Sequence, residues 1–319
     1  MIRTSLFRRM GFLMTVLLLG IATSCKEDEG TTPQTVTDLV VADSRFSLLE
    51  AAVLRAGLGD ALRTTNNITV FAPTDEAFRA AGFADAAAIN AAPVATLAAI
   101  LQYHVLPTRV ASSAINVGDN APQASLLSTN GTVYVTRNSG GVSVNGARVT
   151  SADIAASNGV IHAIDKVLLP PAGNLLEAVV ALNTANNNQY SLVIAAVQRA
   201  GAAVVGALST AAGPFTLFLP NNTAFTAAGL GTEAAINAAN PATLQGILLN
   251  HVVPARVFST NLAAGTVPMA GGSASTVAIN GNSVTITGRG NGTSASNVTR
   301  TDIVATNGVV HLIDRVLLP

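Results

Sequence analysis

The sequence predicts an α+β protein built as two tandem copies of one domain, and three observations carry that prediction. A thirteen-residue stretch, Asn158-Gly-Val-Ile-His-Ala-Ile-Asp-Lys-Val-Leu-Leu-Pro170, returns as Asn307-Gly-Val-Val-His-Leu-Ile-Asp-Arg-Val-Leu-Leu-Pro319 with ten positions identical. Within each copy, helix-period patterns come first and short alternating runs with turn signals come last. That is the order of a domain whose antiparallel sheets are covered by helices at one side or end. Other anchors repeat at nearly constant offsets: Phe46-Ser-Leu and Tyr190-Ser-Leu at 144, His104-Val-Leu-Pro107 and His251-Val-Val-Pro254 at 147, the closing stretch at 149. The drift is small insertions, where loops belong. At 319 residues the chain is long enough for two domains that each bury a core.

Each element has a local reason. Thr37 to Ala42 starts a helical pattern, and Phe46, Leu49, Val53 and Leu54 continue one at spacings of three and four until Gly57 stops it. Ile68 to Ala72 is a short apolar strand broken by Pro73. Thr74 can cap a helix with Asp75 and Glu76 in its first turn and Phe78 pointing inward. Pro93 suits the first turn of a helix running through Leu97, Ile100 and Leu101 to Tyr103-His104. Beyond Pro107, the runs Arg109 to Ile115, Thr132 to Thr136 and Val142 to Val144 read as strands, with Asn130-Gly131, Asn145-Gly146 and Asn158-Gly159 as turns. In the closing stretch Val160, His162 and Ile164 share one face, and Ile161, Ala163 and Asp165 the other. Apolar side chains on both faces predict an inner strand. Pro170-Pro171-Ala-Gly173 then makes a short stiff hinge before the order restarts.

The N-terminus has a different character. Arg3, Arg8 and Arg9 precede an apolar run from Met10 to Ala22, and small residues lead directly to Cys25, the single cysteine. This is signal-peptide layout, too short for a comfortable membrane span, and it resembles a bacterial lipobox in which Cys25 is acylated. Lys26-Glu27-Asp28-Glu29 resembles the export tag of surface lipoproteins in Bacteroidota-type bacteria. The expected organisation is a leader at 1–24, the lipidated Cys and tether at 25–35, and domains at 36–170 and 171–319. Setting aside the three leader arginines leaves 14 Lys and Arg against 17 Asp and Glu, which removes the electrostatic footing for nucleic-acid binding.

All four histidines, His104, His162, His251 and His311, occupy repeated positions. Each copy also holds a serine (Ser47 or Ser191) and an aspartate (Asp165 or Asp314), which on paper supply a nucleophile, base and orienting carboxylate. Neither serine lies in a Gly-x-Ser-x-Gly turn. The paired histidines are 58 and 60 residues apart, unlike the local pairs of most metal sites. The expectation is therefore structural: histidines that bond buried backbone groups, and Asp165 and Asp314 accepting from backbone donors near a strand end, with no catalytic residue, metal or cofactor.

Thr69-Val-Phe-Ala-Pro-Thr-Asp-Glu-Ala-Phe78, Tyr103-His104 before Val-Leu-Pro, and the closing Asn-Gly-Val-x-His-x-Ile-Asp together resemble the fasciclin (FAS1) domain, from about Thr35 onward and twice over. The resemblance implies two wedge-shaped β-sandwich domains with helices packed across them, and adhesion as the class of function. In animal members the Tyr-His region is linked to integrin binding. Tyr103, His104, His162, Asp165, His251, His311 and Asp314 are thus candidate interaction or structural residues. The second copy departs from the pattern: Asn221-Asn222 replace Thr74-Asp75, and Asn250 replaces Tyr103. The expected protein is a non-enzymatic, cell-surface or periplasm-facing bacterial lipoprotein, anchored by lipid in the outer membrane and binding a matrix, polysaccharide or protein, with avidity from its two linked domains. The alternative is a small-molecule or carbohydrate binder, or a structural spacer.

Overall fold

The computed structural model describes residues 33–209, 213–281 and 283–319. The leader, Cys25 and most of the tether lie outside the described residues. From Pro33 to Pro319 the chain forms one compact unit, in which the same domain is built twice.

The first copy begins with α1 (Val36–Ala42), whose N-cap Thr35 exchanges bonds with Asp38 in a capping box. A 3-10 turn leads into α2 (Ser47–Ala56), which ends at Gly57 in the left-handed conformation (φ 69°) that glycine adopts without penalty. Next come α3 (Gly59–Thr64), β1 (Ile68–Pro73), α4 (Asp75–Ala80) capped by Thr74, α5 (Ala86–Ala91) and α6 (Val94–Tyr103). Strands β2 (Val105–Leu106), β3 (Gly118–Ala124), β4 (Thr132–Asn138), β5 (Gly141–Val144), β6 (Ala147–Ala156) and β7 (Gly159–Ile164) complete it. The second copy repeats the order with α7 (Leu175–Ala185), α8 (Ser191–Ala200), α9 (Ala202–Ser209), β8 (Phe215–Pro220), α10 (Asn222–Ala227), α11 (Glu233–Ala238) and α12 (Pro241–Leu249). Its remaining strands are β9 (Val252–Val253), β10 (Gly265–Pro268), β11 (Ala274–Asn280), β12 (Ser283–Gly288), β13 (Ser296–Ala305) and β14 (Gly308–Ile313).

Among the described residues each copy forms a seven-stranded sheet, ordered β2-β1-β7-β6-β5-β4-β3 and, in mirror listing, β10-β11-β12-β13-β14-β8-β9. The sheet doubles over to make the sandwich. Strand β6 pairs with β5 at one end and with β7 along its length, and two register shifts bend it between them. One face of β1 and β7 (Val70, Ala72, Ile161, Ala163) packs on Leu49, Val53, Phe78 and Leu101 of the helices. The other face (Phe71, Ile164) packs on Val133, Val135 and Val144 of the folded-over half.

Four expectations need correction. The sheets are not wholly antiparallel: β1 pairs with β7, and β8 with β14, in parallel. The rest of the domain lies between those partners, so no tight turn dictates their direction. Arg109 to Ile115 is not a strand but irregular chain with a 3-10 turn at Ser112–Ala114; the strand that follows it is β3, at the sheet edge opposite β2, whose polar, Pro122-containing sequence is tolerated because an edge needs fewer ladder bonds. Leu54 points outward and is 68% exposed. Gly159 is not a turn residue: it opens β7, where a Cβ would overlap the Ile68 carbonyl of the parallel neighbour, as Gly308 does with Phe215. The Asn145-Gly146 turn is formed as read, both residues having positive φ (48° and 79°) between paired β5 and β6. Strand β7 lies between β1 and β6, and all six of its residues are buried.

Candidate functional site

The histidines hold the backbone together. His104 stands at the end of α6, its Nδ1–H donating to the Ile100 carbonyl at 2.7 Å while Nε2 accepts from the Leu168 amide at 2.9 Å. His251 does the same between Ile247 and Leu317 at 2.8 Å each. Each thus ties the helix to the chain just after the closing strand. Both rings are buried, and that burial pushes their pKa down to about 4. His162 donates from Nε2 to the Val110 carbonyl (2.9 Å) and accepts at Nδ1 from the Asp153 amide (3.2 Å). His311 repeats this with Val257 (2.9 Å) and Asp302 (3.3 Å). Burial lowers the His311 pKa, partly opposed by the Asp302 carboxylate. Rings with both nitrogens engaged by backbone have no lone pair left for a general base or a metal.

The carboxylates are acceptors. Asp165 takes the Arg148 amide at 2.7 Å, and Asp314 takes the Asn297 amide at 2.7 Å and its side-chain amide at 2.6 Å. Ser47 donates to Asp75 at 2.6 Å rather than to a histidine, and Asp75 also accepts the Leu48 amide at 2.9 Å. Asp75 is therefore a cap for α2 supplied from another helix. Asn222 serves the Leu192 amide in the second copy at 3.0 Å, so the Asp-to-Asn change keeps the cap acceptor, loses the charge and turns the serine bond round, with Asn222 Nδ2 donating to Ser191 Oγ at 3.0 Å. Among the described residues no three His, Cys, Asp or Glu side chains gather into a group that could hold a metal ion. Cys25, the remaining predicted site, lies outside the described residues.

What the chain does bring together is a seam between the two domains, and the residues that cross it are not among those the sequence singles out. Lys166, just past the first closing strand, places Nζ 2.6 Å from Asp302 Oδ2. Asp302 occupies a left-handed bulge position (φ 66°) in β13 and accepts from the Ser259 amide (2.7 Å) and hydroxyl (2.5 Å). Asp153, at the matching bulge of β6, holds Ser112 in the same way. Asn120 donates to the Arg256 carbonyl at 2.7 Å, and Asn261 donates to Asp119 at 2.7 Å. The Arg256 guanidinium lies 4.0 Å from the centre of the Tyr134 ring and donates to the carbonyls of Ala305, Thr306 and Gly308. Phe258 packs against Tyr134 at a centroid distance of 6.2 Å.

Tyr103 stands behind this seam, inside the first domain. Its hydroxyl donates to the Thr132 carbonyl and accepts from Asn145 Nδ2, both at 2.9 Å, and Asn145 also accepts the Tyr134 amide at 2.8 Å. Burial holds the phenol pKa well above its ordinary value. The turn fixed in this way ends at Gly146, where a Cβ would overlap the Asp302 carboxylate of the second domain. In the second copy Asn250 stands in place of Tyr103 and binds Ser273 and the Leu317 carbonyl instead. A cleft of about 820 Å³ opens along the seam, with Asn120, Asn130, Tyr134, Glu177 and Arg256 among its walls. The repeated Asp-Ile-x-Ala-x-Asn-Gly preceding each closing stretch was the signal available in the sequence for the bulge aspartates.

Comparison with known proteins agrees with this architecture. The fasciclin domain model matches residues 44–170 and 188–319. The chain belongs to the fasciclin family. Among its relatives, the Synechocystis protein sll1483 is 41% identical over 146 residues, covering 43% of this chain and 74% of that protein. The transforming growth factor-beta-induced protein ig-h3 of Sus scrofa is 30% identical over 256 residues, covering 79% of this chain and 35% of that protein. Human periostin is 29% identical over 223 residues, covering 70% and 24% respectively. The chain thus spans only about a third or less of these animal proteins. A solved FAS1 domain pair from the insect cell adhesion molecule Fasciclin I aligns with a TM-score of 0.41 at 20% identity, over 89% of this chain and 96% of that one. The fasciclin motif residues here are the histidine locks and strand-end aspartates just described, and the tandem is a fasciclin pair joined through Lys166, Arg256 and Asp302.

Proposed function

We propose that this fasciclin pair is a bacterial surface lipoprotein that acts by binding, mediating adhesion to a matrix, a polysaccharide or another protein. The observation that carries the reading is the inward engagement of its motif side chains. With His104, His162, His251 and His311 all buried and bonded to backbone, each domain offers a partner shape, loops and the seam cleft rather than a reactive group. Adhesion is the class of function that fasciclin membership supports. The arginine-led apolar leader ending at Cys25 supports a lipid anchor, and the tether to Val36 reaches at most roughly 40 Å, which keeps the pair close to a membrane. Mass spectrometry of the Cys25 peptide with surface proteolysis of intact cells tests the anchor and its orientation: acylated, protease-accessible protein is expected. An unmodified Cys25 in protein released to the medium overturns the anchor.

A further inference from the structure

The two copies also differ in an internal cavity. Beneath α1 and α2 of the first domain lies a cavity of about 170 Å³, lined by Val36, Val40, Leu49, Val53, Val70 and Leu101, with Phe71 and His104 also in its wall. At the same place in the second domain, among Val179, Val193, Val197, Leu217 and Leu248, the space is about 20 Å³. The correspondence is fixed by identical bonds: Asn158 accepts the Val36 amide as Asn307 accepts that of Leu175, both at 2.8 Å.

The second domain fills the space with larger apolar groups. Leu176 stands where the first domain has Thr37, and Ile194 where it has Glu50. Helix α9 sends Val204 and Leu208 into the core, whereas α3 buries none of its side chains. At Gly59, which opens α3, an added Cβ would meet nothing nearer than Val53 at 3.9 Å. Unfilled apolar volume destabilises a fold, and this sequence closes it in one copy while leaving it in the other.

We propose that the first domain binds an alkyl chain in this cavity, as the tail of a small amphiphile with an uncharged or cationic head. A cavity of about 150 Å³ holds benzene, so this one accommodates about six carbons. The exposed Val41 and Leu54 stand at its rim, where the tail would enter. Glu50 and Asp60 also line it, and the guanidinium of Arg63 is already matched by Asp38 at 3.4 Å. A carboxylate head would meet that negative rim, and an ammonium or hydroxyl head would not. The proposal does not rest on the adhesion reading, so the failure of either leaves the other untouched.

The test is a methyl NMR titration of the full chain with hexylamine hydrochloride, hexan-1-ol and hexanoate. Saturable shifts are expected at Val36, Val40, Val53 and Leu101 and not at Val179, Val197 or Leu248, with hexanoate at least tenfold weaker than hexylamine. The variant Thr37→Leu/Glu50→Ile, which copies the second domain, should abolish the shifts while the rest of the spectrum is kept; if it does not fold, Thr37→Leu is read in its place. Absence of saturable shifts, equal shifts in both domains, persistence in the folded filled variant, or binding of hexanoate as tight as hexylamine each overturns the proposal.

Discussion

Lys166 of the first domain and Asp302 of the second meet at 2.6 Å, with the aspartate side chain only 4% exposed and the lysine 40%. Burial pushes the Asp302 carboxyl up, yet the neighbouring His311, Lys166 and Ser259 together hold it below the usual carboxylate range. The pair therefore joins a surface cation to a buried anion that already organises the second domain. Lys166→Met should cost about 1–2 kcal/mol, the half-exposed lysine being partly screened. Asp302→Ala should cost about 3 kcal/mol, since Ser259 loses its acceptor as well. In calorimetry the wild type should melt in one transition, and Asp302→Ala should separate it into two.

Asn158 is a second junction. Its Oδ1 accepts the Val36 amide, and its Nδ2 faces the carbonyls of Leu62, Arg63 and Thr65 at 2.8, 3.3 and 2.9 Å. One side chain thus fastens the start of α1 and the end of α3 to the closing strand. Asn158→Ala should lower stability by about 2–4 kcal/mol in urea unfolding, because buried donors and acceptors are left unmade. Asn158→Asp should be worse, as it aims a carboxylate at three carbonyl oxygens.

At position 75 the second domain has already made the experiment. Asn222 accepts from Leu192 as Asp75 accepts from Leu48, so Asp75→Asn should change stability by less than about 0.5 kcal/mol. Asp75→Ala should cost about 1–2 kcal/mol, the usual loss of a cap. Thermal unfolding of the two variants distinguishes them.

Acid should destabilise both domains through His104 and His251. Unfolded, each imidazole titrates near 6.5; folded, near 4. Their full contribution is present above pH 6.5, and it is lost as pH falls from there through 4, by up to about 1.4 kcal/mol per pH unit for each ring. Denaturation midpoints should therefore drop over that window, and His251→Gln should have a shallower dependence. Midpoints that rise on acidification would contradict the burial account.

The tandem repeat, the helix cap at Thr74, the Asn145-Gly146 hairpin and the inner position of the closing strand are legible, because each leaves a local or periodic signature. Edge strand β3 was not, since a solvent-facing edge imposes no apolar alternation on residues such as Asp119, Asn120 and Gln123. The seam was also illegible. Lys166 and Asp302 are 136 residues apart, and nothing in either neighbourhood's pattern announces the other. The type and spacing of the histidines point to a structural role, but their partners (Ile100, Leu168, Val110, Asp153) depend on how the sheet folds over.

Adhesion by a lipid-anchored fasciclin pair, as proposed, is read out by the attachment of the cells that carry it. Cells lacking the gene, complemented with the wild type or with Cys25→Ser, would be compared for surface attachment and biofilm formation. Loss of attachment on deletion, rescue by the wild type and no rescue by the released Cys25→Ser protein is the predicted result. Unchanged attachment in the deletion strain would contradict it.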